Sequence, residues 1–138
     1  MKYVVYVILF TLLSCSLRIK TGNKNDELVK RATVYLFDKK IITNNCITQN
    51  DTIFVILKKQ NAVISYYLAI NNLFSKIHEK RFMKKVKSSK NILTFCTDNF
   101  ITDKKIIFEY TCVSQINGYL KYDTSNQIVA LIYNERMD

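Results

Sequence analysis

The sequence predicts an all-β domain, a small antiparallel β-sandwich. Three observations predict it. Apolar and polar residues alternate with period two in several runs rich in Val, Ile, Thr, Tyr and Phe. Clusters of turn formers separate those runs at short intervals. The chain has 138 residues, 49% of them hydrophobic, with no proline and two glycines. That is enough apolar material for one core and too little chain for two.

The first element stands outside the domain. Lys2 is a short basic start, and Tyr3–Leu13 is an apolar stretch interrupted by one Thr. Spanning a bilayer takes about 20 such residues, so the stretch reads as the apolar part of a signal peptide, residues 1–14. Leu12-Leu13-Ser14-Cys15 resembles a bacterial lipobox, in which a small residue precedes the scissile bond and the cysteine thiol receives diacylglycerol. Cys15 is therefore the expected lipidation site. Ser16, which is not Asp, resembles the sorting pattern for the outer membrane. Residues 15–27, which include the polar segment Arg18–Glu27, read as a flexible tether, and 28–138 as the domain.

Within the domain, Ala32–Phe37 reads as the first strand and Lys40–Thr48 as the next. Thr52–Leu57 and Ala62–Ile70 flank Lys58–Asn61 as a hairpin. Later runs are Asn91–Cys96, Lys105–Val113, Tyr119–Tyr122 and Gln127–Tyr133. Asp123–Asn126 links the last two, and Asn117-Gly118 is a strong hairpin signal before Tyr119. Seven or eight short strands so spaced argue for an immunoglobulin-like sandwich. Residues 71–87 resist, because Ile70, Leu73, Phe74 and Ile77 have helical spacing; the insert reads as either a short helix or a hairpin tip.

On the exported reading Cys15 carries lipid, which leaves Cys46, Cys96 and Cys112 in an oxidising compartment. Two of the three are expected to pair. Cys46 and Cys96, each at a strand end among polar residues, are the favoured pair, with Cys112 buried in an apolar alternation. No C-x-x-C occurs, and a lone His78 cannot complete a zinc site, so no metal is expected. Two isolated glycines, Gly22 and Gly118, exclude a Gly-rich phosphate loop, and no cofactor or small-molecule substrate is expected. One histidine without a partner at recognisable spacing gives no catalytic set, so the chain reads as a non-enzyme.

The net charge is +10, with 21 Lys and Arg against 11 Asp and Glu. The cations concentrate at Lys76, Lys80, Arg81, Lys84, Lys85, Lys87 and Lys90, with Glu79 the one anion among them. Such a run is a solvated face, or it meets anionic headgroups, nucleic acid or an acidic protein. Nucleic acid is disfavoured, since only Phe82 is interleaved for stacking and an exported protein rarely meets it. Lys76, Lys80, Arg81, Lys84 and Lys85 are the expected partner-binding residues, with an acidic protein surface opposite them.

The order of these features resembles a family of small lipoproteins of enteric bacteria assigned as immunity proteins of type VI secretion systems. The resemblance rests on the lipobox, Gly22–Leu28, Asn44-Asn45-Cys46-Ile47-Thr48, and Asp51-Thr52 through Ser65-Tyr66-Tyr67-Leu68. It continues at Ile92–Cys96 and in the closing Tyr119–Asp123 and Asn126–Val129. The family's usual Pro before the second cysteine is missing, Cys112 is additional, and Lys76–Lys90 is longer and more basic. The resemblance implies a periplasmic lipoprotein, anchored by its lipid to the outer membrane, that binds and neutralises a cognate secreted toxin without chemistry of its own. The alternative is a structural outer-membrane lipoprotein of a secretion apparatus.

Overall fold

A computed structural model of the chain describes residues 24–48, 50–87, 89–97, 104–112 and 114–135. The expected signal peptide, the expected lipidation site Cys15 and the expected tether up to residue 23 lie outside the described residues. The protein is mostly β: seven strands form one mixed sheet, accompanied by three short helices among the described residues. The expectation of a small, mostly-β, sandwich-like domain holds. The layer packed on the sheet's inner face is helical, so helix and sheet together enclose the core.

Helix α1 spans Lys24–Asp38 and α2 spans Ile41–Asn45. Both occupy segments expected as tether or strand: α1 takes in Lys24–Glu27 and the run Ala32–Phe37, and α2 lies within Lys40–Thr48. The reason is visible in a wider window. Leu28, Val29, Ala32, Thr33, Leu36 and Phe37 are the buried positions of α1, which is the period of a helix and not of a strand. Lys30 and Arg31 fall on the outward side. Thr33, a β-branched residue that suggested a strand, donates its hydroxyl to the Val29 carbonyl one turn back at 2.9 Å. Asp26 and Glu27 in the first turn complement the helix dipole.

The strands are β1 (Thr52–Lys59), β2 (Ala62–Ile70), β3 (Leu73–Ile77), β4 (Ile92–Thr97), β5 (Lys105–Thr111), β6 (Gln115–Tyr122) and β7 (Ile128–Glu135). Their order is β3-β2-β1-β4-β5-β6-β7. All neighbours pair antiparallel except β1 and β4, which are parallel. That parallel pair needs a crossover, and helix α3 (Glu79–Val86) supplies it between β3 and β4. Within the insert 71–87, Leu73, Phe74 and Ile77, whose spacing with Ile70 suggested a helix, lie in strand β3, and the helix follows at Glu79–Val86. Asn71, in the left-handed region at φ 51°, turns β2 into β3, and Gln60 at φ 54° turns β1 into β2.

Asn117-Gly118 is not a turn. It lies inside β6, opposite Glu109 and Phe108 on one side and Asn134 and Tyr133 on the other. The glycine is required by close approach: a Cβ there would come within 2.6 Å of the Tyr133 Cα.

One face of the sheet packs under α1 and α2. Ile53, Val55 and Leu57 of β1, Leu93 and Phe95 of β4, and Ile106, Phe108 and Tyr110 of β5 alternate onto it with Val29, Ala32 and Leu36 of the helix. The disulfide joins Cys46 to Cys112, with Cα atoms 6.2 Å apart, which corrects the expected Cys46–Cys96 pair. Period-two geometry explains the choice. Cys112 continues the inward parity of Ile106, Phe108 and Tyr110, and Cys46 follows α2 on the same side. Cys96 follows Phe95 and so points to the opposite face, across the sheet from Cys46.

Candidate functional site

The second face of the sheet is covered only in part. Helix α3 lies over β1 and β2, where its one buried residue, Phe82, meets Phe54 edge-on at 5.5 Å and Tyr66 at 4.7 Å. Its remaining surface is charged: Lys80, Arg81, Lys84 and Lys85 are all exposed, and Met83 between them is 57% exposed. Glu79 in the first turn and Lys84 and Lys85 in the last suit the helix dipole. The expected basic set is therefore divided. Lys76 belongs to the opposite face, where its ammonium pairs with the Asp26 carboxylate at 2.8 Å and lies 5.9 Å from the Tyr67 ring centroid.

Two adjacent tyrosines of β2 hold this corner together from both faces. Tyr67 donates its hydroxyl to Asp26 in the first turn of α1. Tyr66, pointing the other way, donates to Glu79 at the start of α3 at 3.1 Å. Burial pushes the Tyr67 phenol well above its ordinary range, and Asp26 adds to the shift. Tyr66 is raised in the same sense, by desolvation first and then by Glu79. Both phenols thus stay protonated donors at neutral pH. His78 precedes α3 in extended conformation and is exposed, beside a cleft lined by Ser65, Tyr66, Lys76, Ile77 and Glu79.

Beyond α3 the face is open among the described residues. Cys96, Ile107, Tyr119 and Ile132 stand opposite one another in successive strands, a row crossing β4 to β7. Ile107 is 45% exposed and Ile132 40%. Lys105 and Lys121 face each other on one side of the row, and the Lys105 ammonium lies 4.8 Å from the Tyr119 ring centroid. On the other side stand Glu109, Asn117 and Asn134, with Gln115 donating to Glu109 at 2.6 Å. The sequence reading missed this surface, although its signal was present. The residues between the inward-facing ones of β5 and β6 include apolar Ile107 and Tyr119, where an ordinary solvated face would carry polar residues.

The β6–β7 turn is organised by Asp123, whose carboxylate accepts the backbone N–H groups of Gln127 and Ser125 at 2.9 Å each. The Gln127 bond first, then one from the Ser125 hydroxyl at 2.7 Å, hold it below the usual carboxylate range. Among the described residues no cluster of three His, Cys, Asp or Glu is placed to hold a metal, and no helix is long and apolar enough to cross a membrane. No protein-family model, curated protein or solved structure matches the chain. What the fold offers is a disulfide-tied scaffold presenting two exposed surfaces, one cationic and one apolar with cationic flank.

Proposed function

We propose that this chain is an exported, lipid-tethered binding protein that captures and neutralises a cognate secreted toxin, an immunity lipoprotein of the periplasm with no chemistry of its own. The observation that carries the reading is the open row Ile107–Tyr119–Ile132. Protein-binding patches have an apolar, aromatic-containing centre and a polar rim, and this row has both. Lys105 and Lys121 on its flank, within a chain of net charge +10, fit an acidic partner and would speed its capture. The Cys46–Cys112 bond supports export, because such bonds persist in oxidising compartments. The apolar leader ending in Cys15 supplies the anchor, and tethering raises the protein's effective concentration where a toxin arrives.

The test is to express the protein with the product of its adjacent gene in a host exposed to that product. Survival and a complex that co-purifies are expected. Ile107→Asp with Ile132→Asp should abolish both while the chain still folds, since both residues are already exposed. A neighbour that is harmless, or a complex indifferent to these substitutions, defeats the reading.

A further inference from the structure

The cationic helix and the point where the tether joins the domain lie at one corner of the molecule. Helix α1 begins at Lys24, and Asp26 in its first turn is fixed to Tyr67 of β2 and Lys76 of β3. Helix α3 begins two residues after β3 ends, and Glu79 in its first turn is fixed to Tyr66. Because Tyr66 and Tyr67 are neighbours pointing to opposite faces, the two helix starts flank the same end of β3 with only the sheet between them. Residues 16–23 separate the expected lipidation cysteine, Cys15, from Lys24, a reach of at most about 30 Å when fully extended.

From this placement we infer that the exposed side of α3, Lys80, Arg81, Lys84 and Lys85 with Met83 among them, docks on the anionic phospholipid surface to which the lipid anchors the chain. The inference rests on the lipid-anchored reading above. A tether this short holds the corner within reach of the bilayer, where each contact with headgroup phosphates forms at high effective concentration. Cations near an anionic membrane surface then contribute additively and within a Debye length. The lipid supplies attachment and the helix supplies orientation. The open row lies on the same face of the sheet as α3 and begins at β4, the strand beside β1.

The experiment uses the full chain reconstituted on vesicles of phosphatidylcholine, alone or mixed with phosphatidylglycerol, and labels lysines with a water-soluble acetylating reagent read by mass spectrometry. Lys80, Lys84 and Lys85 should react about fivefold or more slowly on the anionic vesicles than on the neutral ones. That protection should vanish in about 1 M salt, while Lys30, on the outward side of α1 across the sheet, reacts equally on both. In the variant Arg81→Glu, Lys84→Glu, Lys85→Glu the contrast at Lys80 should disappear with toxin neutralisation retained. Equal rates on both vesicles overturn the inference, as does loss of neutralisation in the variant, which would assign the helix to the protein partner. Flotation with neutral vesicles reports the lipid and the labelling contrast reports the helix, so either reading can fail without the other.

Discussion

The two faces of the sheet are built from the same strands and obey opposite rules. On the face under α1 and α2, the strands β1, β4, β5 and β6 shut inward residues such as Leu57, Phe95, Phe108 and Leu120 off from solvent. On the other face only the ground beneath Phe82 is closed, and Ile107 and Ile132 stay in water. The covered face is lined mainly by apolar side chains, with Thr33 and Ser65 its buried polar residues, and is pinned at its margin by Cys46–Cys112. The second face keeps apolar groups in water at Ile107 and Ile132. The difference separates residues that hold the fold from residues that remain exposed on it.

The sharpest break of this comparison is one pair of neighbours in β5. Phe108→Ala removes a ring that is 1% exposed between Phe95 and Gly118, and should cost about 3–5 kcal/mol in chemical denaturation. Ile107→Ala, one residue away on the open face, should stay within about 1 kcal/mol, since much of that side chain is already in water. Equal losses would mean that the open face is covered in solution.

Next in size is the margin of the covered face. Cys112→Ser, with Cys46→Ser to avoid a stray thiol, opens a loop with 66 residues of separation and should cost about 2–4 kcal/mol. Cys96→Ser should leave stability and the non-reducing peptide map unchanged. A map showing Cys46 linked to Cys96 would overturn the assignment of faces, because no strand can turn one of its residues to the other side without shifting register.

How much of this was legible depends on what each residue answers to. Five of the seven strands were expected close to their observed bounds, because period two survives wherever one face is buried, while β6 was expected only in its second half, from Tyr119. Helix α1 was missed because Ala32–Phe37 is apolar and β-branched when read alone, and its helical period appears only when Leu28 and Val29 are included. The cysteine pairing was missed for a related reason: flanking polarity was weighed where parity along β5 decides. The corner at Tyr66 and Tyr67 could not be read at all. It depends on β3 lying beside β2 and on the crossover placing α3 on the far face, which no local pattern carries. Likewise the exposed charges of Lys80–Lys85 were plain in the sequence, but Lys76's place on the other face was not.

Gly118 tests the neighbouring ladder. Gly118→Ala would place a methyl group against the Tyr133 backbone and force β6 and β7 apart, at a cost of about 1–3 kcal/mol. Hydrogen exchange should quicken first in β7, the outermost strand, before β4 and β5 respond. Were Asn117-Gly118 a turn, alanine would be tolerated there and the ladder protection unchanged.

The smallest effects belong to the two tyrosines, and they sharpen the comparison most finely because the residues are adjacent and face opposite ways. Tyr67→Phe removes a hydroxyl bound to Asp26 beneath α1, and should cost about 1 kcal/mol at neutral pH. Tyr66→Phe removes an exposed contact to Glu79, and should stay within about 0.5 kcal/mol. Alkali separates them further. A phenol raised above its ordinary value of 10.0 favours the folded state while protonated, so its stabilisation is complete below that pH and fades as pH climbs above it. Thermal unfolding followed from pH 9 upward should therefore show a steep fall in stability for the parent chain, flattened in Tyr67→Phe and scarcely altered in Tyr66→Phe. The same ordering in both variants would show that Tyr67 gains nothing from lying on the covered face.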